Sequence, residues 1–583
     1  MTTETLALKP YLEKIKKHCA KLTKAELIDL LCQAALDVPA AERTSFLERL
    51  SIISHPVDFE EIAAPEDSSI LARTEKLLED IADWQKSVED GSYYEERYEE
   101  DDYYDDEEFP SMSKEQQESL EALFAEADRL FLDGKLELAQ KAYQQLIDLS
   151  LHGRGLDYSI EYNEIDINWR ETLARYCRCV YETSSEAERP KLMCVAMEAE
   201  RKTKAEQHPF GRQLFGLGYD PVNEILPSLK DVFNARPGEL ADWDDFLKKL
   251  QKELRSIDSS RAVLLHLEAV QWLDGLQGLA AAVRQRKIPV GYLYWLDQLR
   301  DNEAWDELAA AAQEALQAMP HDSLRAYAAA QLSVAGKQAD DNSLVLQGKR
   351  EQFFSQPQEE HLADLLREAT KQQVSEAELT KVLAFLKAAP AQDKQKWPVF
   401  LLQSDFSLLK IKTMLLLGQL QESYAAIDQK AAIGWSDEKR MTGAVYVGIL
   451  LVLCKGNVDA KTAHSLFARY MCGKYGNEFI ASAIKKRLLH IAVSDSQQKQ
   501  WLRFVERISS DRAEHIVSNQ YRKGYARGAE ALGGYMECLI LHEQQDKAAA
   551  FLELKRNQEY KRYPAFRREF DAVVSNSPLL ARL

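Results

Sequence analysis

The feature that most constrains this chain is a helical spacing of apolar residues that continues, with few breaks, from Ser113 to the C-terminus. Residues at this spacing fall on one face of a helix, whereas the alternation typical of strands is rare here. Only residues 290–294 also fit a short strand. The 583 residues include just 24 glycines and 17 prolines, which all-β chains need at frequent turns. The sequence therefore predicts an all-α protein.

A helical chain of this length without heptads has to bury its apolar faces by packing helix against helix. Residues 123–146 resemble a tetratricopeptide repeat, with small residues at Ala127 and Ala139 where two helices approach and a turn at Gly134. Two poorer copies, at no constant period, occupy residues 292–320 and 413–427. We therefore expect an irregular α-solenoid of antiparallel, tetratricopeptide-like hairpins.

Composition divides the chain into five regions. Thr23 and Glu26 form a capping box in the first region, and Ser113 and Gln116 form another where helix resumes after an acidic linker. The predicted regions are an N-terminal helical hairpin region (1–86), an acidic, tyrosine-rich and disordered linker (87–112), a tetratricopeptide-like region (113–235), a helical repeat region (236–400) and a C-terminal helical region with a basic terminal helix (401–583).

The acidic tract within that linker carries more than half of the net charge of −20. Between Glu89 and Phe109 twelve acids face a single base, Arg97. The tract is either a solvated spacer or a docking segment whose carboxylates steer a basic partner protein while its aromatic rings supply contact area. The candidate partner-binding residues are Tyr93, Tyr94, Tyr98, Tyr103, Tyr104, Asp101, Asp102, Asp105 and Asp106.

The C-terminal helix carries the opposite charge. Between residues 555 and 568 six bases face one acid, Glu559. This segment is either the solvated outer face of a terminal capping helix or a docking site, for the acidic tract in cis or for a phosphate backbone. The bases are Lys555, Arg556, Lys561, Arg562, Arg567 and Arg568.

Four stretches resemble the helical, non-finger part of bacterial SWIM zinc-finger-associated proteins. They are LTKAELIDLL (22–31), LRAYAA (324–329), EQFFSQP (351–357) and YPAFRREF (563–570). The finger itself needs C-x-C followed by C-x-H, but after Cys177, Cys179 and Cys194 the histidine position holds Ala196. A tetrahedral zinc shell lacks its fourth ligand, so the resemblance implies only an α-solenoid of interaction type.

Catalytic signatures are incomplete throughout the chain. His542 and Glu543 begin an H-E-x-x-H motif, but Asp546 replaces the second histidine. Lys474 resembles the end of a phosphate-binding loop, yet Tyr475 replaces the hydroxyl residue that would hold Mg²⁺. The eight cysteines lie mostly among apolar residues, which predicts free thiols in a reducing compartment. We predict no enzyme activity, no cofactor and no metal.

The longest apolar run, Ala444 to Cys454, is too short to span a bilayer and predicts a buried core helix. The N-terminus shows no secretory signal, so we expect a cytoplasmic protein that makes no membrane contact. The predicted function is a non-enzymatic protein–protein interaction scaffold, an adaptor or a regulatory subunit. The alternative is a nucleic-acid-associated protein that uses the basic C-terminal helix and is shielded by its own acidic tract. An enzyme is the least favoured class.

Overall fold

The computed structural model describes most of the chain in several ranges. These are residues 8–19, 21–23, 27, 68–89, 111–156, 160, 164–202, 225–236, 238, 240, 242–321, 323–388, 406–433, 441–472 and 476–583. Within them the regular structure is helical and no strand occurs, which confirms the all-α prediction. Much of the predicted N-terminal helical hairpin region (1–86), namely residues 1–7, 20, 24–26 and 28–67, lies outside the described ranges. The candidate residues of the acidic tract lie outside them too.

The described residues form two compact units. The first lies within Met1–Lys204 and Tyr219–Arg286, and the second lies within Ala205–Gly218 and Lys287–Leu583. None of the described helices combines the length and the apolarity that crossing a bilayer requires.

The first unit is built from helices. Its described helices are α1 (Leu8–Cys19), α2 (Ser68–Glu89), α3 (Lys114–Leu132), α4 (Leu136–Ser150), α5 (Trp169–Thr183), α6 (Arg189–Ala196), α7 (Leu229–Asn234), α8 (Trp243–Leu254) and α9 (Ser260–Arg286). Helix α9 is kinked at Gly275, whose φ of 66° and ψ of −163° lie outside the helical region. The predicted capping box opens α3: Ser113 Oγ accepts from the Gln116 amide, and Gln116 Oε1 accepts from the Ser113 amide.

Helices α3 and α4 pack against each other where the sequence predicts a hairpin. Ala127 and Ala139 are fully buried, because only small side chains fit where two helices come close. Gly134 makes the turn with a φ of 81°, a conformation that costs glycine little. Tyr143 is also fully buried, and its hydroxyl donates to Asp128 Oδ1 over 2.5 Å.

The second unit is also built from helices. Its described helices are α10 (Pro289–Asp301), α11 (Trp305–Ala318), α12 (Ser323–Gln338), α13 (Asn342–Ser355), α14 (Glu359–Lys371), α15 (Ser375–Ala388), α16 (Phe406–Leu416), α17 (Leu420–Ala426), α18 (Met441–Leu453), α19 (Lys461–Cys472), α20 (Glu478–Leu488), α21 (Asp495–Ser518), α22 (Tyr525–Leu541), α23 (Gln545–Glu553) and α24 (Pro564–Asn576). The possible strand at residues 290–294 belongs to α10, which opens on Pro289, a residue favoured at a first helical position.

Helices α10 to α16 each pack against the next one along the chain. The arrangement changes at α18, which packs against α16, α17, α19, α20, α21 and α22. Every residue from Thr442 to Leu453 is buried, so the core helix predicted from the apolar run is confirmed. A helix that is apolar all round has to be surrounded. This part of the chain is therefore a bundle around a central helix.

Candidate functional site

Two of the six predicted C-terminal bases hold a turn together. Lys555 and Arg556 lie in a π-helical turn, Leu554–Glu559, directly after α23. The Lys555 side chain is buried between aromatic rings, and its Nζ lies 2.6 Å from Glu559 Oε2. Arg556 Nε lies 2.8 Å from Asp571 Oδ1 on α24. Each of these two cations forms an intramolecular ion pair, so the charge that the segment offers to a partner is smaller than the sequence indicates.

The other predicted bases surround the start of α24. Lys561 and Arg562 are exposed in the loop before the helix, and Arg568 is exposed in its second turn. These three form no ion pair with any described residue. Arg567 is half-buried, and its Nε has no hydrogen-bond partner in the described part of the chain. The segment thus carries three exposed bases that form no ion pair with a described residue.

An aromatic contact brings a second helix start to the same place. Phe566, in the first turn of α24, is fully buried, and its ring centroid lies 5.7 Å from that of Tyr525, the first residue of α22. Tyr560 also packs against Phe566, with a centroid distance of 4.7 Å. Gly528 permits this approach, because a Cβ there would lie 3.2 Å from the Phe566 ring and 3.3 Å from the Cα of Ala513. The first turns of α22 and α24 are therefore neighbours.

This contact adds two bases that the sequence analysis missed. Arg522 and Lys523 are exposed in a short 3₁₀ turn directly before α22, and neither pairs with a described acid. Helices α22 and α24 both begin without a side-chain cap and without an acid in the first turn, so their amide dipoles carry the same sign as the bases. We call the resulting set the basic surface: Arg522, Lys523, Lys561, Arg562 and Arg568.

Acidic side chains border the basic surface. Two of these acids, Glu559 and Glu514, act on Tyr560. Burial raises the pKa of its phenol most, and the two negative charges raise it further. The phenol is therefore neutral, and its Oη has no hydrogen-bond partner among the described residues. Glu569 is exposed in α24 next to Arg568. The site can attract and bind anions, and its acids limit how much negative charge it tolerates.

The cysteines of the incomplete finger lie in the core of the first unit. Cys177, Cys179 and Cys194 are all buried, and Cys177 Sγ donates to the carbonyl of Ala196. Burial raises the pKa of the Cys177 thiol to about 12 and that of Cys194 to about 11, so both are neutral thiols near pH 7. The described residues hold no group of three or more side chains placed to bind a metal.

A cleft of about 540 Å³ in the first unit is the second candidate site. His152 Nε2 lies 3.1 Å from Glu198 Oε1, and Arg201 Nη1 lies 2.8 Å from Glu198 Oε2. His152, Glu198 and Arg201, three of the side chains that line the cleft, thus bind one another. Cys194 also lines it, but a thiol with a raised pKa is a poor nucleophile.

Comparison of the sequence with protein-family models and with curated proteins gives no match. The resemblance to the SWIM-associated proteins therefore depends on the four quoted stretches alone. Two of them meet in the second unit, where Arg325 Nη2 lies 2.6 Å from Glu351 Oε2 and Arg325 Nη1 donates to Ser355 Oγ over 2.6 Å. This buried network gives both stretches a role in packing α12 against α13.

Proposed function

We propose that the protein is a non-enzymatic interaction scaffold, an adaptor or regulatory subunit that binds acidic partner proteins through the basic surface. The observation that carries this proposal is the set of five exposed bases without ion pairs, placed by the contact between Phe566 and Tyr525. Many other bases of the chain pair with a nearby acid, as Arg556 pairs with Asp571. Unbalanced charge of one sign favours encounter with a partner of the opposite sign.

The packing of the surface supports recognition of a partner. Phe566 and Phe570 are fully buried and Tyr525 and Tyr560 nearly so, and the helices that carry the bases are anchored by these rings. A surface that is already ordered loses little conformational entropy when a partner binds. The hairpins of the remaining helices, tetratricopeptide-like at α3 and α4, would serve as the scaffold, and we place the protein in the cytoplasm.

A nucleic-acid-associated function is the second candidate, because it uses the same surface. Tyr521 is 41% exposed and directly precedes Arg522, and an exposed ring beside a base can stack on an unpaired nucleobase. The number of charges favours a protein partner. Nucleic-acid interfaces commonly neutralise roughly six to ten phosphates, whereas this surface offers five bases bordered by acids.

The test compares three forms of the full-length chain as baits in nuclease-treated lysate of the native host. One is unmodified, and one carries Arg522→Gln, Lys523→Gln, Lys561→Gln and Arg562→Gln, here called the surface variant. The third replaces Lys486, Lys499 and Arg503 by Gln, because these bases are exposed elsewhere in the second unit and pair with no described acid.

We expect specific partners to be recovered with the unmodified chain and the control variant and to be lost with the surface variant. All three proteins should keep the same melting temperature, since the substituted side chains make no internal ion pair. Equal recovery by all three would contradict the proposal. A gel shift with DNA or RNA that disappears in the surface variant, without loss of any protein partner, would favour the second candidate.

A further inference from the structure

We propose that the basic surface binds the acidic tract of a second copy of the chain, so that two copies associate by exchanging tract for surface. This inference rests on the proposed function, since it identifies one acidic partner of the same surface. It concerns the charge of residues 89–109, which the sequence gives, and the geometry of the basic surface, which the structure describes.

Charge complementarity is the first argument. Residues 89–109 carry a net charge of −11, while the rest of the chain carries only −9 spread over more than 560 residues. The basic surface is the matching excess of positive charge. Its five bases are exposed, and they pair with no described acid. When two copies of the chain meet, the acidic tract of one copy is therefore attracted to the basic surface of the other.

The chemistry of the surface suits carboxylates. Arg522, Arg562 and Arg568 each offer a planar group that binds a carboxylate through two parallel hydrogen bonds. The uncapped first turns of α22 and α24 favour negative charge in the same place. The tract places tyrosines among its acids, and tyrosine rings bind Arg and Lys side chains through their faces. Both kinds of group in the tract thus have a counterpart on the surface.

Reciprocity is the third argument. Each copy carries one tract and one surface, so two copies can make the same contact twice around a two-fold axis. In such a dimer every tract and every surface is bound. Once the first contact has formed, the second one is intramolecular and is favoured by the high effective concentration. A closed dimer is therefore expected in preference to a chain of copies.

Four proteins test the inference by sedimentation at 50 and 300 mM NaCl. They are the unmodified chain, a tract-deleted variant that lacks residues 91–109, the surface variant, and the control variant with Lys486, Lys499 and Arg503 replaced by Gln. We expect the unmodified chain and the control variant to be dimers at 50 mM, with a dissociation constant that rises about tenfold or more at 300 mM because salt screens exposed charges. The tract-deleted and surface variants should each be monomeric.

The decisive sample is the mixture of the tract-deleted and the surface variants. Each lacks what the other has, so together they should form a heterodimer through a single contact, weaker than the dimer of the unmodified chain. The inference is overturned if the unmodified chain stays monomeric at 50 mM, if either variant still dimerises alone, or if the mixture does not associate. The proposed function is tested separately, because the tract-deleted variant keeps the surface and should still recover partners from lysate.

Discussion

Lys412 is buried in the second unit, and its Nζ lies 2.6 Å from Glu359 Oε2. The same ammonium donates to the carbonyl of Met471 over 3.0 Å, while Glu359 Oε1 accepts from the amide of Asn477 over 3.2 Å. One ion pair thereby joins α16, the start of α14, the end of α19 and the start of α20. Such a pair tolerates the loss of one partner badly, because the other charge stays behind without compensation.

Lys412→Met should therefore lower the free energy of unfolding by about 3–5 kcal/mol, as measured by denaturant titration. Lys410→Met, a half-buried lysine on the same helix, should change it by less than about 0.5 kcal/mol. The double variant Lys412→Met, Glu359→Gln should be more stable than Lys412→Met alone, since no unpaired charge remains. A single variant as stable as the unmodified chain would show that the ion pair contributes nothing.

Glu537 is fully buried and joins two parts of the C-terminal bundle. Its carboxylate accepts from the amides of Thr462 and Ala463, at the start of α19, over 3.0 and 2.9 Å, and from Ser577 Oγ over 2.7 Å. Burial raises the pKa of Glu537, and the hydrogen bonds from Ser577 and the two amides oppose that change. The side chain caps α19 from a distant helix, which the sequence around Lys461 does not reveal.

Glu537→Ala should destabilise the protein by about 3 kcal/mol or more, because it leaves two buried amides without an acceptor. Glu537→Gln should cost less, since one oxygen remains. Glu569→Ala, at an exposed position of α24, is the matched control and should be nearly neutral. Thermal and denaturant unfolding give the order of the three variants, and an alanine variant no less stable than the glutamine variant would contradict the prediction.

His266 makes the stability of the first unit depend on pH. The residue is 3% exposed, and its Nε2 accepts from Arg255 Nε over 3.1 Å. Burial, and then the charges of Arg255 and Arg286, lower the pKa of His266 to about 4. Because the unfolded chain takes up this proton near pH 6.5 and the folded chain only near pH 4, stability is lost as the pH falls between these values.

Between pH 7 and pH 5 the first unit should lose about 1–2 kcal/mol of stability through this residue. His266→Gln keeps an acceptor for Arg255 and should remove that part of the pH dependence, as seen in denaturant titrations at both pH values. His490→Gln, at an exposed histidine, should leave it unchanged. A pH dependence that is the same with and without His266 would contradict this explanation.

Local signals in the sequence predicted the all-helical structure and the buried core helix α18. The capping box at Ser113 and the apolar run that became α18 needed only neighbouring residues, and both are present as expected. The burial of Lys555 left a weaker signal, the spacing of four residues to Glu559, which is typical of an ion pair on one helix face. A count of charges places Lys555 on the surface, because it does not show that Phe551 and Tyr560 cover the side chain.

The basic surface could not be predicted whole, because it depends on which helices pack together. Arg522 and Lys523 belong with Lys561 and Arg562 only because Phe566 contacts Tyr525, some 40 residues away in the sequence. The spacing of apolar residues predicts which face of a helix is buried, but not which other helix packs against that face. The central position of α18 was missed for the same reason, because it depends on which six helices pack against it.

Some described turns between helices place a glycine in the left-handed conformation and others place a residue with a side chain there, so glycine alone does not mark these turns in the sequence. After α3, Gly134 adopts a φ of 81°, and the next amide, that of Lys135, bonds to the carbonyl of Leu130. After α10, Glu303 adopts a φ of 56° in the same arrangement, with the amide of Ala304 bonded to the carbonyl of Leu299. A left-handed conformation is strained for a residue that has a Cβ, so the two positions should respond oppositely to substitution.

Gly134→Ala should lower the free energy of unfolding by about 1–2 kcal/mol. A Cβ at this position would meet no atom closer than Arg236 Nη2 at 3.9 Å, so the loss would come from the backbone alone. Glu303→Gly should instead raise stability by roughly 0.5–1 kcal/mol, because relief of strain exceeds the extra entropy that glycine gives the unfolded chain. Denaturant midpoints of the two variants test the pair, and loss of stability in both would show that the turn at Glu303 gains more from its side chain than it loses in strain.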